Sequence, residues 1–90
     1  MTRTPQEIAD KGEALYKDRF RALYEKRFPG RFLAIDITTE EAFVADAPEE
    51  AIKTAQAKNP SGFFYLVKIG APGVYRVGYA RHHTLERIIR

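Results

Sequence analysis

Cysteine and tryptophan are both absent from this chain of 90 residues. The absence of cysteine excludes a disulfide framework, a zinc or iron–sulfur site built on thiolates, and a cysteine nucleophile. Long apolar runs are absent too: no stretch is long and apolar enough to span a bilayer, and the N-terminus lacks the apolar core of a signal peptide. We therefore expect a cytoplasmic protein without a membrane partner, stabilised by a hydrophobic core.

The composition is otherwise that of an ordinary globular protein, with 44% hydrophobic and 30% charged residues. A chain of this length supports one domain rather than two. We predict a single domain over residues 1–90, with a frayed start at residues 1–4 and a basic tail at residues 80–90. In that tail, Leu85, Ile88 and Ile89 recur at helical spacing, which predicts a short helix beginning near Thr84.

Charge is segregated along the chain, although the net charge is only +3. Residues 11–31 carry seven basic and three acidic groups, and residues 36–50 carry six acidic groups and no basic one. The last 15 residues carry four arginines against one acid. A basic helix and a basic tail favour an anionic partner. The alternative is compensation within the molecule, or self-association of a basic face with an acidic face.

The N-terminal third predicts one long helix over Pro5–Phe28, because its apolar residues share one arc at 100° per residue: Ile8, Leu15, Tyr16, Phe20, Leu23 and Tyr24. Thr4 is a suitable N-cap, proline suits the first helical position, and Glu7 completes a capping box. Pro29–Gly30 ends the helix. Gly12 lies inside it, at a cost of about 1 kcal/mol relative to alanine.

An aromatic ladder runs along this helix at strict i, i+4 spacing: Tyr16, Phe20, Tyr24 and Phe28. On an α-helix such a row drifts by about 40° per step, so part of it leaves the core face. Either Phe28 packs under the turn that follows, or the end of the ladder forms an exposed apolar strip that marks a partner site.

Two hairpins and a second helix are predicted after the turn. Arg31–Ile37 and Ala42–Ala45 read as the first hairpin, and Phe63–Ile69 with Val74–Tyr79 as the second. Asp46 between them is the expected N-cap of the second helix. The sequence thus predicts an α+β fold of order α-β-β-α-β-β, with one small antiparallel sheet and the helices on one face. Few features blunt the sheet edges, so edge pairing into a homodimer is expected.

The residue types that carry catalysis or ligand binding are sparse. Ser61 lies in a Pro-Ser-Gly turn without a nucleophile motif, and the adjacent His82 and His83 cannot chelate a metal easily from a strand. Gly70–Gly73 joins two strands and contains proline, unlike a phosphate-binding loop. We therefore predict a protein that is not an enzyme, with no catalytic residue, no cofactor and no metal site.

The runs Phe28–Asp36, Ala45–Ala51 and Phe63–Ile69 resemble a small prokaryotic family known only as a domain of unknown function, over roughly residues 28–79. That resemblance implies the fold and a prokaryotic source. The segment Ala42–Ala51 is also similar to the HicB-type antitoxins, whose helix after the hairpin starts with the same Asp–small–x–Glu–Glu–Ala pattern. This second resemblance implies a toxin-neutralising partner.

Together these observations predict a small protein-interaction module, antitoxin- or adaptor-like, that binds another protein, itself, or both. The residues expected to make the protein contacts are Tyr24, Phe28, Arg81, Leu85, Ile88 and Ile89. The alternative is a small basic nucleic-acid-binding domain that uses the arginine-rich last strand and tail. The residues expected to contact nucleic acid are Arg76, Arg81, Arg87 and Arg90.

Overall fold

The computed structural model describes residues 4–71, 76–80 and 86–87, in which helices flank an antiparallel sheet. In chain order the elements are helix α1 (Pro5–Leu15), a π-helical segment (Tyr16–Phe20), helix α2 (Arg21–Arg27), strands β1 (Phe32–Asp36) and β2 (Ala42–Ala45), helix α3 (Pro48–Lys58), and strands β3 (Phe63–Lys68), β4 (Arg76–Ala80) and β5 (Glu86–Arg87). The predicted α+β class is confirmed. Within these described segments, no helix combines the length and the apolar character needed to cross a membrane.

The five strands are antiparallel and lie in the order β2-β1-β3-β4-β5. Phe32 of β1 is paired with Ala45 of β2 on one side and with Lys68 of β3 on the other. Next along the sheet, Phe64 of β3 is opposite Tyr79 of β4. The central strands β1 and β3 therefore join the two hairpins, and β2 and β5 take the outer positions.

The helices lie on both faces of this sheet, which corrects the prediction of helices on one face. Leu33 and Ile35 of β1 pack with residues of α1 and the π-helical segment in one buried cluster, the α1-side cluster. Ala34, between them in sequence, packs on the opposite side with Ala51 and Ala55 of α3 in a second cluster, the α3-side cluster. The physical reason is that β1 and β3 are apolar at consecutive positions, so both faces of the central strands need cover from water.

Helix α1 begins where its capping residues predict. The Glu7 backbone N–H donates to Thr4 Oγ1 at 3.1 Å, and the Thr4 backbone N–H donates to Glu7 Oε1 at 2.9 Å. This reciprocal pair satisfies two amide donors that a helix N-terminus would otherwise leave without a partner. Further along α1, a Cβ atom added at Gly12 would lie 2.6 Å from Tyr65 Cδ2. Glycine is therefore required where the helix crosses β3.

The long N-terminal helix is interrupted by one wide turn, which explains the position of the aromatic ladder. The Arg21 backbone N–H donates to the carbonyl of Tyr16, five residues earlier. On an α-helix, a row of residues drifts around the helix axis by about 120° over three i, i+4 steps. One extra residue within a turn rotates all later residues by about 100° in the opposite direction. Tyr16 belongs to the α1-side cluster. Because of the wide turn, Phe20, Tyr24 and Phe28 pack against the same cluster.

This geometry corrects two expectations from simple helical periodicity. The end of the ladder does not turn away from the core: Phe20, Tyr24 and Phe28 are partly buried and pack against the same cluster as Tyr16. Leu23, which shares the apolar arc of an uninterrupted helix, is instead 51% exposed on α2. The wide turn has moved Leu23 away from the sheet and kept the aromatic residues on it.

Helix α3 starts one residue later than expected. Its N-cap is Ala47, without a side-chain hydrogen bond, and Pro48 takes the first helical position. Asp46, the predicted cap, instead pairs with Arg31, with 3.2 Å between Oδ1 and Nε. Proline explains the difference, because its missing N–H leaves the first turn with one donor fewer to cap.

The prediction of a short helix in the tail is wrong for the part that the structure describes. Glu86 and Arg87 form β5, with Gly78 opposite Glu86 and Val77 opposite Arg87. A single helical turn is costly to nucleate, whereas the outer side of β4 offers backbone hydrogen bonds at once. Residues 81–85 and 88–90, with the predicted helix start at Thr84, lie outside the described residues.

Candidate functional site

The outer edge of β2 is the candidate functional site, because β2 is the end strand on its side of the sheet. The Asp36 backbone N–H donates to the carbonyl of Glu41 at 2.8 Å, which makes these two residues a hydrogen-bonded pair of the ladder. In an antiparallel ladder such pairs recur at every second residue. Phe43 and Ala45 therefore bond inward to β1, and Ala42 and Val44 direct their backbone N–H and C=O groups outward.

The pairing of β1 with β3 leads to the same inward and outward residues of β2. The Ile37 backbone N–H donates to Phe63 O at 3.1 Å, and the Ile69 backbone N–H donates to Arg31 O at 2.8 Å. Odd-numbered residues of β1 thus bond to β3, so its even-numbered residues bond to β2. The partners of those even-numbered residues are Phe43 and Ala45, in agreement with the assignment above.

The side chains of β2 are held from both sides, so its backbone edge is firmly placed. Ala42 and Val44 pack on the α1-side cluster, and Phe43 and Ala45 pack on the α3-side cluster. All four residues are partly buried. None of them is charged and none is proline, and these are the usual means by which proteins protect an end strand from pairing.

A groove of about 620 Å³ runs beside this edge, between β2 and α3. Its floor is Val44 and Ala45, and its α3 wall carries Glu50 and Lys53. The residues that line it are Arg31, Val44, Ala45, Asp46, Glu50, Lys53, Thr54 and Ala57. The mixture of a small apolar floor with charges of both signs suits a polypeptide segment better than a small apolar ligand.

Ion pairs around the same edge connect the basic and acidic segments of the sequence. Arg19 pairs with Glu40, and Arg31 pairs with Asp46. Lys58 Nζ lies 3.3 Å from Glu41 Oε2. Each of these pairs is largely exposed and so contributes little to stability. These pairs do neutralise charge, so part of the charge segregation along the sequence is compensated within the molecule.

Two of the predicted interface residues are described, and both belong to the aromatic ladder. Tyr24 lies between Phe20 and Phe28, edge-on to the Phe20 ring and tilted to the Phe28 ring, with 5.6 Å between ring centroids on each side. The Arg31 guanidinium lies 5.8 Å from the centroid of the Phe28 ring. Tyr24 and Phe28 are partly buried against the α1-side cluster. A contact of either residue with a partner stays a prediction.

The remaining predicted contact residues are in β4, β5 and the tail. Arg76 is the first residue of β4 and Arg87 the last of β5, so the sheet brings them to neighbouring strands. Those outside the described residues are Arg81, Leu85, Ile88, Ile89 and Arg90. Sequence reasoning predicted open edges but did not single out β2, although its uncharged run of four residues was the available signal.

Asp36 is fully buried, and its partners give it a structural role. Its Oδ1 accepts the backbone N–H groups of Thr38 at 2.8 Å and Thr39 at 3.2 Å. Its Oδ2 accepts from the Asn59 side chain, which follows α3. These bonds tie the β1–β2 turn to the end of α3. Among the residues described, no three His, Cys, Asp or Glu side chains are grouped so as to hold a metal ion.

Tyr16 is the second polar group of the interior. Its hydroxyl donates to Glu25 Oε2 at 2.9 Å and accepts the Gly70 backbone N–H at 3.2 Å. Burial raises the pKa of the Tyr16 phenol, the Gly70 bond opposes that rise, and the Glu25 carboxylate adds to it. Through these two hydrogen bonds, Tyr16 links the wide turn to α2 and to the β3–β4 connection.

Comparison with known proteins does not change the site assignment, because the chain matches no family model, no curated protein and no solved structure.

Proposed function

We propose that this protein is a non-enzymatic interaction module, antitoxin- or adaptor-like, which binds an extended protein segment as an additional strand along β2. The observation that carries the proposal is the uncharged, proline-free end strand, whose residues Ala42 and Val44 present their backbone groups outward. Strand addition of this kind takes its affinity from backbone hydrogen bonds and its specificity from pockets beside the strand.

The groove beside β2 supports the same proposal. An added strand needs space next to the end strand, and the groove between β2 and α3 provides it. Glu50 and Lys53 on the α3 wall are both exposed and are available to select side chains of the incoming segment. Arg19, by contrast, is already paired with Glu40, which weakens the case for a basic face kept free for an anionic partner.

A proline substitution tests the proposal without disturbing the interior of the sheet. Ala42→Pro removes an N–H that points outward, a position at which end strands tolerate proline. Ala45→Pro is the matched control for this assignment, since it removes an N–H that bonds to β1. In thermal unfolding, we expect Ala45→Pro to melt clearly lower than Ala42→Pro.

Binding is then compared between wild type, Ala42→Pro and Leu23→Ser, each immobilised and exposed to an extract of the source organism. Leu23 is exposed on α2, away from the β2 ladder. We expect the wild type and Leu23→Ser to retain the same chains and Ala42→Pro to lose them. Loss with Leu23→Ser alone would refute the proposal in favour of the helical surface that carries Tyr24 and Phe28.

The nucleic-acid alternative makes an opposite prediction in a salt titration. Binding through several arginines releases counterions, so affinity for RNA would fall steeply with salt. We expect the wild type to show no such binding to a short mixed-sequence RNA. Uptake at low salt with release at high salt would refute the proposed function and assign the binding to the arginines of the last strands and tail.

A further inference from the structure

The edge of β2 is complementary to itself, and this identifies an occupant. We infer that the added strand is β2 of a second copy, paired antiparallel about a two-fold axis that passes between the two Phe43 residues. This inference rests on the proposed function, because it uses the same edge of β2. It adds the identity of the partner, the register of the pairing and the residue on the axis.

The register follows from which residues point outward. Hydrogen bonds form only when outward residues of one copy face outward residues of the other, so a shift of one position leaves none. With Ala42 opposite Val44 of the second copy, both outward residues of each β2 are used, which makes four bonds. A shift of two positions pairs either Ala42 or Val44 with itself and makes two bonds within the strand.

This register places Phe43 opposite itself. Phe43 bonds inward to β1, so across the new pair it stands in a non-hydrogen-bonded position, where opposite Cα atoms lie about 4.5 Å apart. It is partly buried and packs on the α3-side cluster. Two such rings meet on the same face of the joined sheet, and aromatic residues directly opposite one another stabilise an antiparallel pair.

The charges around the edge are compatible with a second copy. The register brings Glu40 of one copy opposite Asp46 of the other, which would repel if both were unpaired. Each of these acids, however, carries its own cation: Arg19 pairs with Glu40, and Arg31 pairs with Asp46. Lys58 likewise pairs with Glu41, so each end of the joined strands holds three acids and three bases.

The helices agree with the same symmetry. A two-fold axis perpendicular to the sheet places both copies of α3 on one face, in antiparallel orientation. The α3 wall of the groove carries one acid and one base, Glu50 and Lys53. A wall of mixed sign can face an antiparallel copy of itself without accumulating like charge, in contrast to a wall of one sign.

The chain contains no cysteine, so single cysteines report the register directly. With Phe43→Cys, the two thiols of a dimer lie within disulfide range. Ala45→Cys is the control on the same face and strand, because its two copies are four positions apart, about 14 Å. Under mild oxidation we expect the Phe43→Cys dimer to form at least ten times faster than the Ala45→Cys dimer, with wild type at twice the chain mass by light scattering.

A second measurement leaves Phe43 in place, in case its substitution disturbs the α3-side packing. The register puts Glu41 of one copy opposite Ala45 of the other. Glu41→Cys and Ala45→Cys should each crosslink poorly alone and crosslink well when the two variants are mixed. Self-crosslinking of Val44→Cys in place of this pattern would overturn the register.

Failure of this inference differs from failure of the proposed function. A monomeric wild type with no crosslink in any variant, but with chains from the extract that Ala42→Pro loses, would overturn the second copy and keep strand addition. Absence of both the crosslinks and the edge-dependent binding would overturn both. Crosslinks in the stated pattern, with a monomeric Ala42→Pro, would support both.

Discussion

Replacing Gly12 with alanine should destabilise the protein, although alanine is the better helix former. In an exposed helix this change adds about 1 kcal/mol of stability. Here the new Cβ would lie 2.6 Å from Tyr65 Cδ2 and closer still to Cβ and Cγ of the same side chain. Tyr65 is completely buried, and atoms next to its backbone cannot rotate away. Helix α1 must therefore move by about 1.5 Å to bring the closest of these atoms back to van der Waals contact at about 3.5 Å.

Overpacking of this kind costs about 1–3 kcal/mol, and here no flexible side chain absorbs it. With the overpacking cost at the upper end of that range, about 3 kcal/mol, the gain of about 1 kcal/mol in helix propensity leaves a net loss of about 2 kcal/mol. For a domain of this size that loss lowers the melting temperature by about 10 °C. The assay is urea unfolding followed by circular dichroism, with thermal melts as a second measure.

The reciprocal substitution Ala14→Gly is the matched control, because Ala14 is exposed two residues further along α1. It should lose about 1 kcal/mol through helix propensity alone. Packing therefore predicts that both variants are less stable than the wild type, whereas propensity alone predicts opposite signs. A Gly12→Ala variant as stable as the wild type, or more stable, would refute the close approach of α1 to β3.

Three further substitutions test the interior and its turns. Tyr16→Phe should lose about 1 kcal/mol of stability at neutral pH, because the hydrogen bonds of the hydroxyl are lost. Since the folded-state pKa of Tyr16 is raised above 10.0, the wild type should also lose stability as the pH rises above 10 through that pKa. Urea unfolding at several pH values should show this loss in the wild type and not in the variant. Asp36→Ala should cost about 3 kcal/mol, because the N–H groups of Thr38 and Thr39 and the Asn59 side chain lose their charged acceptor; an unchanged urea midpoint would contradict that role. Gly30→Ala should cost about 1 kcal/mol from backbone strain alone, since φ is +85° and nothing lies within 4 Å of the new Cβ, and a neutral result in the same assay would contradict the left-handed turn.

Local signals were sufficient to predict where most elements begin and end. Thr4 and Glu7 cap the first helix as their spacing indicates, because a capping box depends on residues three positions apart. The bounds of β2 agree with the predicted Ala42–Ala45, and β3 differs from the predicted strand by one residue. Alternation and turn residues are local too, which is why they identified both hairpins.

The arrangement of the helices was not predictable in the same way. An apolar strand such as β1 needs cover on both faces, yet its sequence does not state which helix lies on which face. The wide turn at Tyr16–Phe20 depends on the fit of the aromatic ladder to the sheet, so helical periodicity alone misplaced Leu23. Asp46 was misassigned because Arg31, 15 residues earlier in sequence, pairs with it in space.

The sequence was enough to predict an open sheet edge, and it was not enough to predict that this edge is β2. Open sheet edges follow from a sheet of a few strands. That β2 is an outer strand depends on β1 pairing with β3, a contact between residues about 30 positions apart in sequence. The outward direction of Ala42 and Val44 depends in turn on the Asp36–Glu41 bond. Which backbone groups of β2 point outward is therefore set only when β1 and β2 pair in the folded protein.

Cover on both sides of β2 has a consequence for how assemblies of this protein grow. The side chains of β2 pack toward the interior on both faces, so the backbone groups of Ala42 and Val44, which lie in the plane of the sheet, are what this edge offers to another chain. A two-fold pair of β2 edges consumes both copies of that edge and closes the assembly at two chains. Pairing of β2 with the opposite edge of another copy would instead leave a free edge at each step and propagate as a fibre. The symmetry of one four-residue strand thus separates a finite particle from an open filament.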